Sequence, residues 1–174
     1  MRLLDLRSVC RRRKRTRRKK LPAEYLAENV LDRDFKSKEQ NEKWLTDVTE
    51  FKYGTGGKVY LCAILNLYGR NIAGFSLGRK NSISLVFEAF DQAFQMKETG
   101  IRQSMSRPGK CLDNAPMEGF WGILKSKMYY LYHFGAYDQL CDAITAYIHF
   151  YNYERYQRRL GCMTPMEFLA AGGQ

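Results

Sequence analysis

The sequence predicts an α/β domain in which a small antiparallel sheet comes first and helices follow. Two turn-forming segments, residues 54–57 and 68–70, carry glycines and separate three runs of strand-forming residues. Beyond the third run, apolar residues recur at three- and four-residue spacing, which is the period of a helix. The 174 residues suffice for one domain with a real core, and their 45% hydrophobic content argues against disorder across the chain.

The three strands are expected over residues 43–51, 58–67 and 71–77. The second run is long and apolar, so it is expected at the centre of the sheet. Each pair of neighbours is joined by a hairpin turn, which predicts a three-stranded antiparallel meander. Asp47 falls in the first of these strands.

Helices are expected in the rest of the chain. Asn81 or Ser82 would cap the first, whose inward face would comprise Leu85, Val86, Ala89, Phe90 and Phe94. Pro116 suits the first turn of a second helix running to about Tyr130, with an apolar stripe of Met117, Phe120, Trp121, Leu124 and Met128.

The C-terminal region predicts two more helices. One spans residues 137–152, with Leu140, Ala143, Ile144, Tyr147, Ile148 and Tyr151 facing inward. A short terminal helix begins at Thr164. A short strand is expected before these helices, at residues 101–105.

The charge of the chain indicates a polyanionic partner. A net charge of +11, from 29 Lys and Arg against 18 Asp and Glu, favours nucleic acid. Nine of the ten residues 11–20 are basic, so this segment is either a phosphate-binding arm or a solvated linker. We therefore divide the chain into a basic N-terminal arm and linker, residues 1–40, and a core, residues 41–170.

The cysteines and histidines favour a cytoplasmic protein without a structural metal. The five cysteines form no Cys-x-x-Cys pair, which argues against a disulfide framework and a zinc finger. His133 and His149 are interpreted as structural or surface residues. No apolar run reaches the roughly 18 residues of a membrane span, and the N-terminus does not have the pattern of a signal peptide.

Two carboxylates, Asp47 on a strand and Glu118 at a helix start, suggest metal-dependent chemistry on DNA. Mg²⁺ and Mn²⁺ prefer oxygen ligands, which such a pair on neighbouring rigid elements could provide. Asp47 could instead face solvent on an edge strand, and Glu118 could merely favour the helix start. On the helical wheel Asn114, Gly122 and Lys125 share a polar face with Glu118, where they could meet a phosphate backbone.

Four motifs in order closely resemble the catalytic core of bacterial insertion-sequence transposases of the retroviral-integrase type. They occupy residues 44–49, 100–107, 113–125, and 151–155 together with 160–168. The resemblance covers about residues 29–170. It implies a ribonuclease-H-like fold with a mixed sheet, Mg²⁺-dependent (or Mn²⁺-dependent) strand transfer, and DNA as substrate.

The resemblance assigns roles to individual residues. Asp47 matches the first catalytic, metal-binding aspartate of the family, and Glu118 matches its catalytic, metal-binding glutamate. Lys125 matches a DNA-contacting lysine, and Asn114 lies where related enzymes have a polar residue near the site. The residues expected to hold the DNA backbone are Arg107, Lys110, Asn114, Lys125 and Arg155.

The chain departs from the family at the fourth strand. That strand carries a second catalytic aspartate in the family, whereas here the first helix runs almost directly into the 100–107 motif. We therefore expect an internal deletion near residues 94–100. Asp91, on the helix, and Asp113, within a neighbouring motif, do not look like replacements.

Three functional interpretations follow. The chain is a transposase core for DNA integration that is impaired by the lost aspartate, with Mg²⁺ held weakly if at all. Alternatively, it is a non-catalytic DNA-binding protein that joins and modulates a full-length transposase, or forms a homo-oligomer. A third interpretation is a poorly folding pseudogene product, since a lost strand exposes a sheet edge. Each places it near the nucleoid of a bacterial cytoplasm.

Overall fold

The computed structural model describes residues 31–94, 104 and 114–172. Its strands, in chain order, are β1 (Trp44–Tyr53), β2 (Gly57–Asn66) and β3 (Ile72–Gly78). Its α-helices are α1 (Ile83–Phe94), α2 (Ala115–Leu124), α3 (Tyr137–Tyr153) and α4 (Pro165–Ala170). A π-helical turn (Lys125–Tyr129) extends α2, and a 3₁₀ turn (Arg158–Leu160) precedes α4.

The sheet is the predicted antiparallel meander, in the order β1-β2-β3. Within β2 and its continuation, residues 61–67 are all buried, with at most 2% of any of them exposed. Apolar side chains of β2 point alternately to the two faces of the sheet, and each face carries its own core. Helices pack against both cores and so cover both faces. The predictions of the α/β class and of the central position of the second strand are confirmed.

One core lies between the sheet and α1. Leu85, Ala89 and Ala93 are its buried helix residues, and Ser82 accepts a hydrogen bond from the Leu85 N–H at 3.4 Å, as predicted for an N-cap. A Cβ atom added to Gly74 of β3 would lie 2.3 Å from the Ala89 carbonyl oxygen. Helix and strand therefore approach so closely that only glycine fits at this position.

The prediction that Phe94 faces inward is wrong. Ala93 occupies the inward position instead, while Phe94 remains 39% exposed. Small residues suit the close approach of α1 to β3, which leaves no room for an aromatic ring there. Phe94 packs against Trp44 in an edge-to-face arrangement, with 5.8 Å between ring centroids.

The second, larger core lies between the other sheet face, α2 and α3. All five residues of the predicted stripe are buried, namely Met117, Phe120, Trp121, Leu124 and Met128. In α3 the inward residues are as predicted, although Ala143 and Tyr147 are only half-buried. The Asn152 side chain ties α3 to the sheet, because it bonds both the N–H and the carbonyl of Ile72, at 2.9 and 3.0 Å.

The predicted terminal helix is confirmed at α4. Thr164 and Glu167 form a capping box, in which each side chain accepts from the other's backbone N–H. The strand expected at residues 101–105 lies outside the described residues, apart from Ser104. Residues 31–40, expected as part of the arm and linker, form turns and irregular structure.

Among the described residues, β1 is an edge strand, and side chains from the α2 region cap part of its outer edge. The Tyr129 hydroxyl accepts from the Lys52 N–H and donates to the Lys52 carbonyl, both at 2.9 Å. Asn114 donates from Nδ2 to the Thr46 carbonyl at 3.5 Å. These bonds satisfy outward-facing backbone groups that a neighbouring strand would otherwise engage.

Candidate active-site groove

Asp47 lies on the β1 face that packs against α2. Because side chains alternate along a strand, Asp47 shares this face with Leu45, Thr49 and Phe51. Leu45 and Phe51 are buried in the larger core, whereas Asp47 is half-buried. Within the described part of the chain the strand is an edge strand, as one interpretation held, yet the carboxylate points towards the helix layer rather than to the open side.

Both carboxylate oxygens of Asp47 accept a hydrogen bond. The Trp121 indole donates from Nε1 to Oδ2 at 3.0 Å, and the Val48 backbone N–H donates to Oδ1 at 2.9 Å. A half-buried carboxylate needs such donors to offset lost hydration. The two bonds fix the orientation of the carboxylate, and each oxygen retains lone-pair capacity for another partner.

Glu118 and Asp47 line the same groove. Glu118 stands exposed in the first turn of α2, where the helix dipole favours an anion. The groove has a volume of about 470 Å³. Its lining residues are Asp47, Val48, Thr49, Glu118, Trp121, Gly122, Lys125, Ser126 and Tyr130. The structure thus brings together both predicted carboxylates and the predicted lysine.

Lys125 places a positive charge in this groove. Its Nζ donates to the Thr49 hydroxyl at 2.5 Å and lies 5.1 Å from the centre of the Phe51 ring. Lysine side chains commonly pack their methylene groups on apolar surface and leave the ammonium group in water. Such packing would hold the Lys125 ammonium at the wall of the groove. The groove therefore combines two acidic groups with one basic group, which suits a site where metal and phosphate would meet.

The other predicted DNA-binding residues lie elsewhere or outside the described residues. Asn114 is engaged with the Thr46 carbonyl and does not line the groove. Arg155 follows α3 and stacks over the Tyr151 ring, 5.4 Å from its centre. Arg107 and Lys110 fall in a part of the chain that the structure does not describe.

Residues 31–94, 104 and 114–172 contain no cluster of three or more His, Cys, Asp or Glu residues arranged to hold a metal ion. Asp91 is exposed on α1, the helix that covers the opposite face of the sheet. Asp113 lies outside the described residues. The described part of the groove thus offers a metal ion two carboxylates.

Sequence reasoning missed the role of Trp121. It was assigned only to the apolar stripe, and 7% of it is exposed, in keeping with that position. A buried indole, however, carries an N–H that needs an acceptor. The predicted fold has Asp47 on a strand near the helix that carries Trp121. That proximity was the signal that could have paired the two residues.

The histidines, the cysteines and the length of the helices were also subjects of the sequence predictions. His133 and His149 are exposed, as expected, and His149 stacks on Tyr153 with ring centroids 4.7 Å apart. The described cysteines, Cys62, Cys141 and Cys162, are free thiols. No helix within the described ranges is both long and apolar enough to cross a bilayer.

Comparison with known proteins supplies the context for this groove. Two sequence profiles, both described as Integrase core domain, match residues 37–99 and 118–170. InsK, of insertion sequence element IS150 in Escherichia coli (strain K12), is 40% identical over 168 residues. An uncharacterized transposase-like protein of Haemophilus influenzae is 37% identical over 169 residues. Transposase InsF for insertion sequence IS3A of Escherichia coli is 27% identical over 171 residues.

The matches differ in how much of each protein they cover. The InsK alignment takes up 82% of this chain and 59% of InsK, and the InsF alignment takes up the same two shares. The Haemophilus influenzae alignment takes up 83% of this chain and 78% of that protein. The chain thus spans about three fifths of the two longer relatives and over three quarters of the shorter one.

Proposed function

Because the chain belongs to the insertion-sequence transposases with an integrase core domain, of ribonuclease-H-like fold, we propose that its groove derives from a DNA strand-cleavage and strand-transfer site. The observation that carries the proposal is the shared position of Asp47 and Glu118 in one groove. These two residues would be the metal-binding and catalytic carboxylates. DNA would be the substrate, as element ends and as target.

The donor set fits a divalent ion only in part. The integrase core family generally depends on such an ion. Asp47 and Glu118 would be the ligands, and Mg²⁺ or Mn²⁺ bound there would polarise a phosphodiester. Trp121 and the Val48 N–H orient the Asp47 carboxylate for this purpose. The Lys125 ammonium would attract the phosphate backbone from the groove wall.

An internal deletion near residues 94–100 is supported by the alignments. The 168 aligned positions of InsK occupy only 82% of this chain, which is about 143 of 174 residues. About 25 positions of InsK therefore have no counterpart here. The match to the N-terminal Integrase core domain profile ends at residue 99, next to the expected deletion. The positions without a counterpart fit the loss of the fourth strand and of the aspartate that it carries in the family.

We infer from this loss that strand transfer by the chain falls below detection. Two carboxylates hold a divalent ion more weakly than three and cannot position both the attacking and the leaving oxygen. The test is an oligonucleotide joining assay with Mg²⁺ or Mn²⁺. It compares the parent chain with Asp47→Asn and Glu118→Gln, and with Glu50→Gln as control, because Glu50 lies on β1 but outside the groove.

The expected result is no joining product from any of the four proteins. Joining by the parent and by Glu50→Gln, abolished in both groove variants, would overturn the inferred impairment. That result would also mean that Asp91, Asp113 or another carboxylate completes the site.

The second candidate function is a non-catalytic DNA-binding protein that modulates a full-length transposase, alone or as a homo-oligomer. It is favoured by the pair of carboxylates, rather than three, in the described groove. Residues 11–20 and Lys125, with Arg107, Lys110, Asn114 and Arg155, would supply the DNA contacts, in a bacterial cytoplasm near the nucleoid. Non-specific contacts of this kind release counterions, so the affinity should fall steeply with salt.

A salt titration on duplex DNA tests the binding. Deletion of residues 11–20 should weaken binding uniformly across DNA sequences and lower the salt slope. An affinity independent of salt, or no binding to duplex DNA at low salt, would contradict DNA binding by either candidate function.

A further inference from the structure

Three arginines surround a buried tyrosine outside the groove. Tyr151, near the end of α3, is 5% exposed, and the Arg155 guanidinium lies 5.4 Å from its ring centre. Arg70, from the β2–β3 turn, and Arg159, from the 3₁₀ turn, both interact electrostatically with the Tyr151 hydroxyl. Three chain segments therefore each place a positive charge near Tyr151. We name these three residues the arginine cluster.

Part of the arginine cluster is withdrawn from water without a partner. Arg70 Nε is fully buried and has no hydrogen-bond partner among the described residues. Burial, and then the charge of Arg159, lower the pKa of Arg70 to about 10. Burial also lowers the pKa of Arg159. Like charges held close together raise the free energy of a site, and a bound anion lowers it.

The described residues provide no counter-ion for the arginine cluster. No carboxylate among them contributes to the pKa of Arg70 or of Arg159, and no salt bridge between described residues involves either arginine. Glu154, next to Arg155 in sequence, lies 3.6 Å from His149 instead. Because buried charged groups are normally paired, an anionic partner from outside this part of the chain would complete the cluster.

A second unmatched donor lies beside the same tyrosine. The Gln157 side chain is close enough to the Tyr151 hydroxyl to lower its pKa, against the larger opposite effect of burial. Gln157 Nε2 is nevertheless buried without a partner of hydrogen-bond geometry. Arg70 Nε and Gln157 Nε2 thus both lack an acceptor among the described residues, and both side chains act on the Tyr151 hydroxyl. Guanidinium groups bind tetrahedral anions through paired N–H donors, so the arginine cluster has the chemistry of a phosphate site.

We propose that the arginine cluster is an anion site that binds a phosphate group. None of its residues lines the groove of Asp47 and Glu118, so it is a second site. A phosphodiester of bound DNA is the source favoured by the proposed function, on which this part of the inference rests. Free phosphate has the same chemistry, and the experiment below separates the two sources.

The first arm measures thermal unfolding of the full chain in inorganic phosphate and in chloride at matched ionic strength. Phosphate should raise the Tm of the parent saturably, because a ligand of the folded state stabilises it. Arg159→Gln should weaken phosphate binding about tenfold, the loss of one charge-assisted bond. Arg158→Gln is the matched control, since Arg158 is an exposed neighbour in the same 3₁₀ turn. Arg159 is also exposed at the surface, so its variant should fold; Arg70→Gln is the supporting variant.

The second arm measures duplex DNA binding against salt for the same proteins. A salt slope lowered by about 1 in Arg159→Gln, and unchanged in Arg158→Gln, would identify a DNA phosphodiester at the cluster. A difference in the phosphate arm alone would identify free phosphate as the ligand. Identical behaviour of Arg158→Gln and Arg159→Gln in both arms would overturn the anion site. A parent chain that binds no DNA at low salt would instead overturn the proposed function, whatever the phosphate arm shows.

Discussion

Replacement of Trp121 by phenylalanine tests how the groove holds its aspartate. The change removes the indole N–H that donates to Asp47 Oδ2 at 3.0 Å, while a ring remains to pack against Phe120. A hydrogen bond to a charged group contributes about 1.5 to 3 kcal/mol. The lower end applies here, because Asp47 is half-buried and water in the groove can partly replace the indole. The smaller ring adds a packing loss of about 1 kcal/mol. We therefore expect a total loss near 2.5 kcal/mol.

A double-mutant cycle separates the bond from the packing loss. In Asp47→Asn the amide oxygen can still accept from the indole, but a bond to a neutral acceptor has roughly half the strength. The coupling between Trp121→Phe and Asp47→Asn should therefore be about 1 kcal/mol. The assay is urea unfolding of the parent, both single variants and the double variant. A coupling within about 0.3 kcal/mol of zero would refute the view that the indole stabilises the charged carboxylate.

Two further predictions concern the sheet edge and its charges. Tyr129→Phe removes a hydroxyl that bonds both backbone groups of Lys52. In urea unfolding, it should lower the free energy of unfolding by about 1 to 2 kcal/mol. The control Tyr132→Phe, at a side chain that is 64% exposed, should change it by less than about 0.5 kcal/mol. Equal effects of the two would contradict the edge-capping role. The Lys58 hydrogen bond lowers the pKa of Glu50, so the stability it provides is present above the unfolded pKa and is lost as the pH falls through the lower folded value. Glu50→Gln should accordingly differ from the parent in urea midpoint at about pH 7 and converge with it at about pH 3, and a difference that stays constant would contradict this linkage.

Local chemistry accounts for the part of the fold that the sequence predicted. Glycine-bearing turns predicted the ends of β1, β2 and β3 to within one or two residues. The helical stripe of α2 and the cap at Thr164 follow from patterns that depend on neighbours a few residues apart. Such patterns remain valid whatever the rest of the molecule does. They were therefore sufficient to place Asp47 on a strand and Glu118 at a helix start.

The features that the sequence did not predict depend on distant neighbours. The bond between Trp121 and Asp47 joins residues 74 positions apart, so no local spacing encodes it. The exposure of Phe94 depends on how closely α1 approaches Gly74 of the sheet. The position of Arg70 beside Arg159 likewise requires the β2–β3 turn to meet the 3₁₀ turn in space. Periodicity indicates which face of an element is apolar, but not which side chains meet across the core.

The burial of β2 bears on how this architecture can change during evolution. Side chains of β2 contribute to both cores. A further strand paired with the outer edge of β1 would be separated from β2 by β1 itself. Side chains of the α2 region already bond the outer backbone groups of Lys52 and Thr46. Insertions or deletions on the outer side of β1 would therefore leave both cores standing. During evolution, a protein of this architecture could lose catalytic residues on that side of the sheet and still fold. Selection for binding alone could then maintain it.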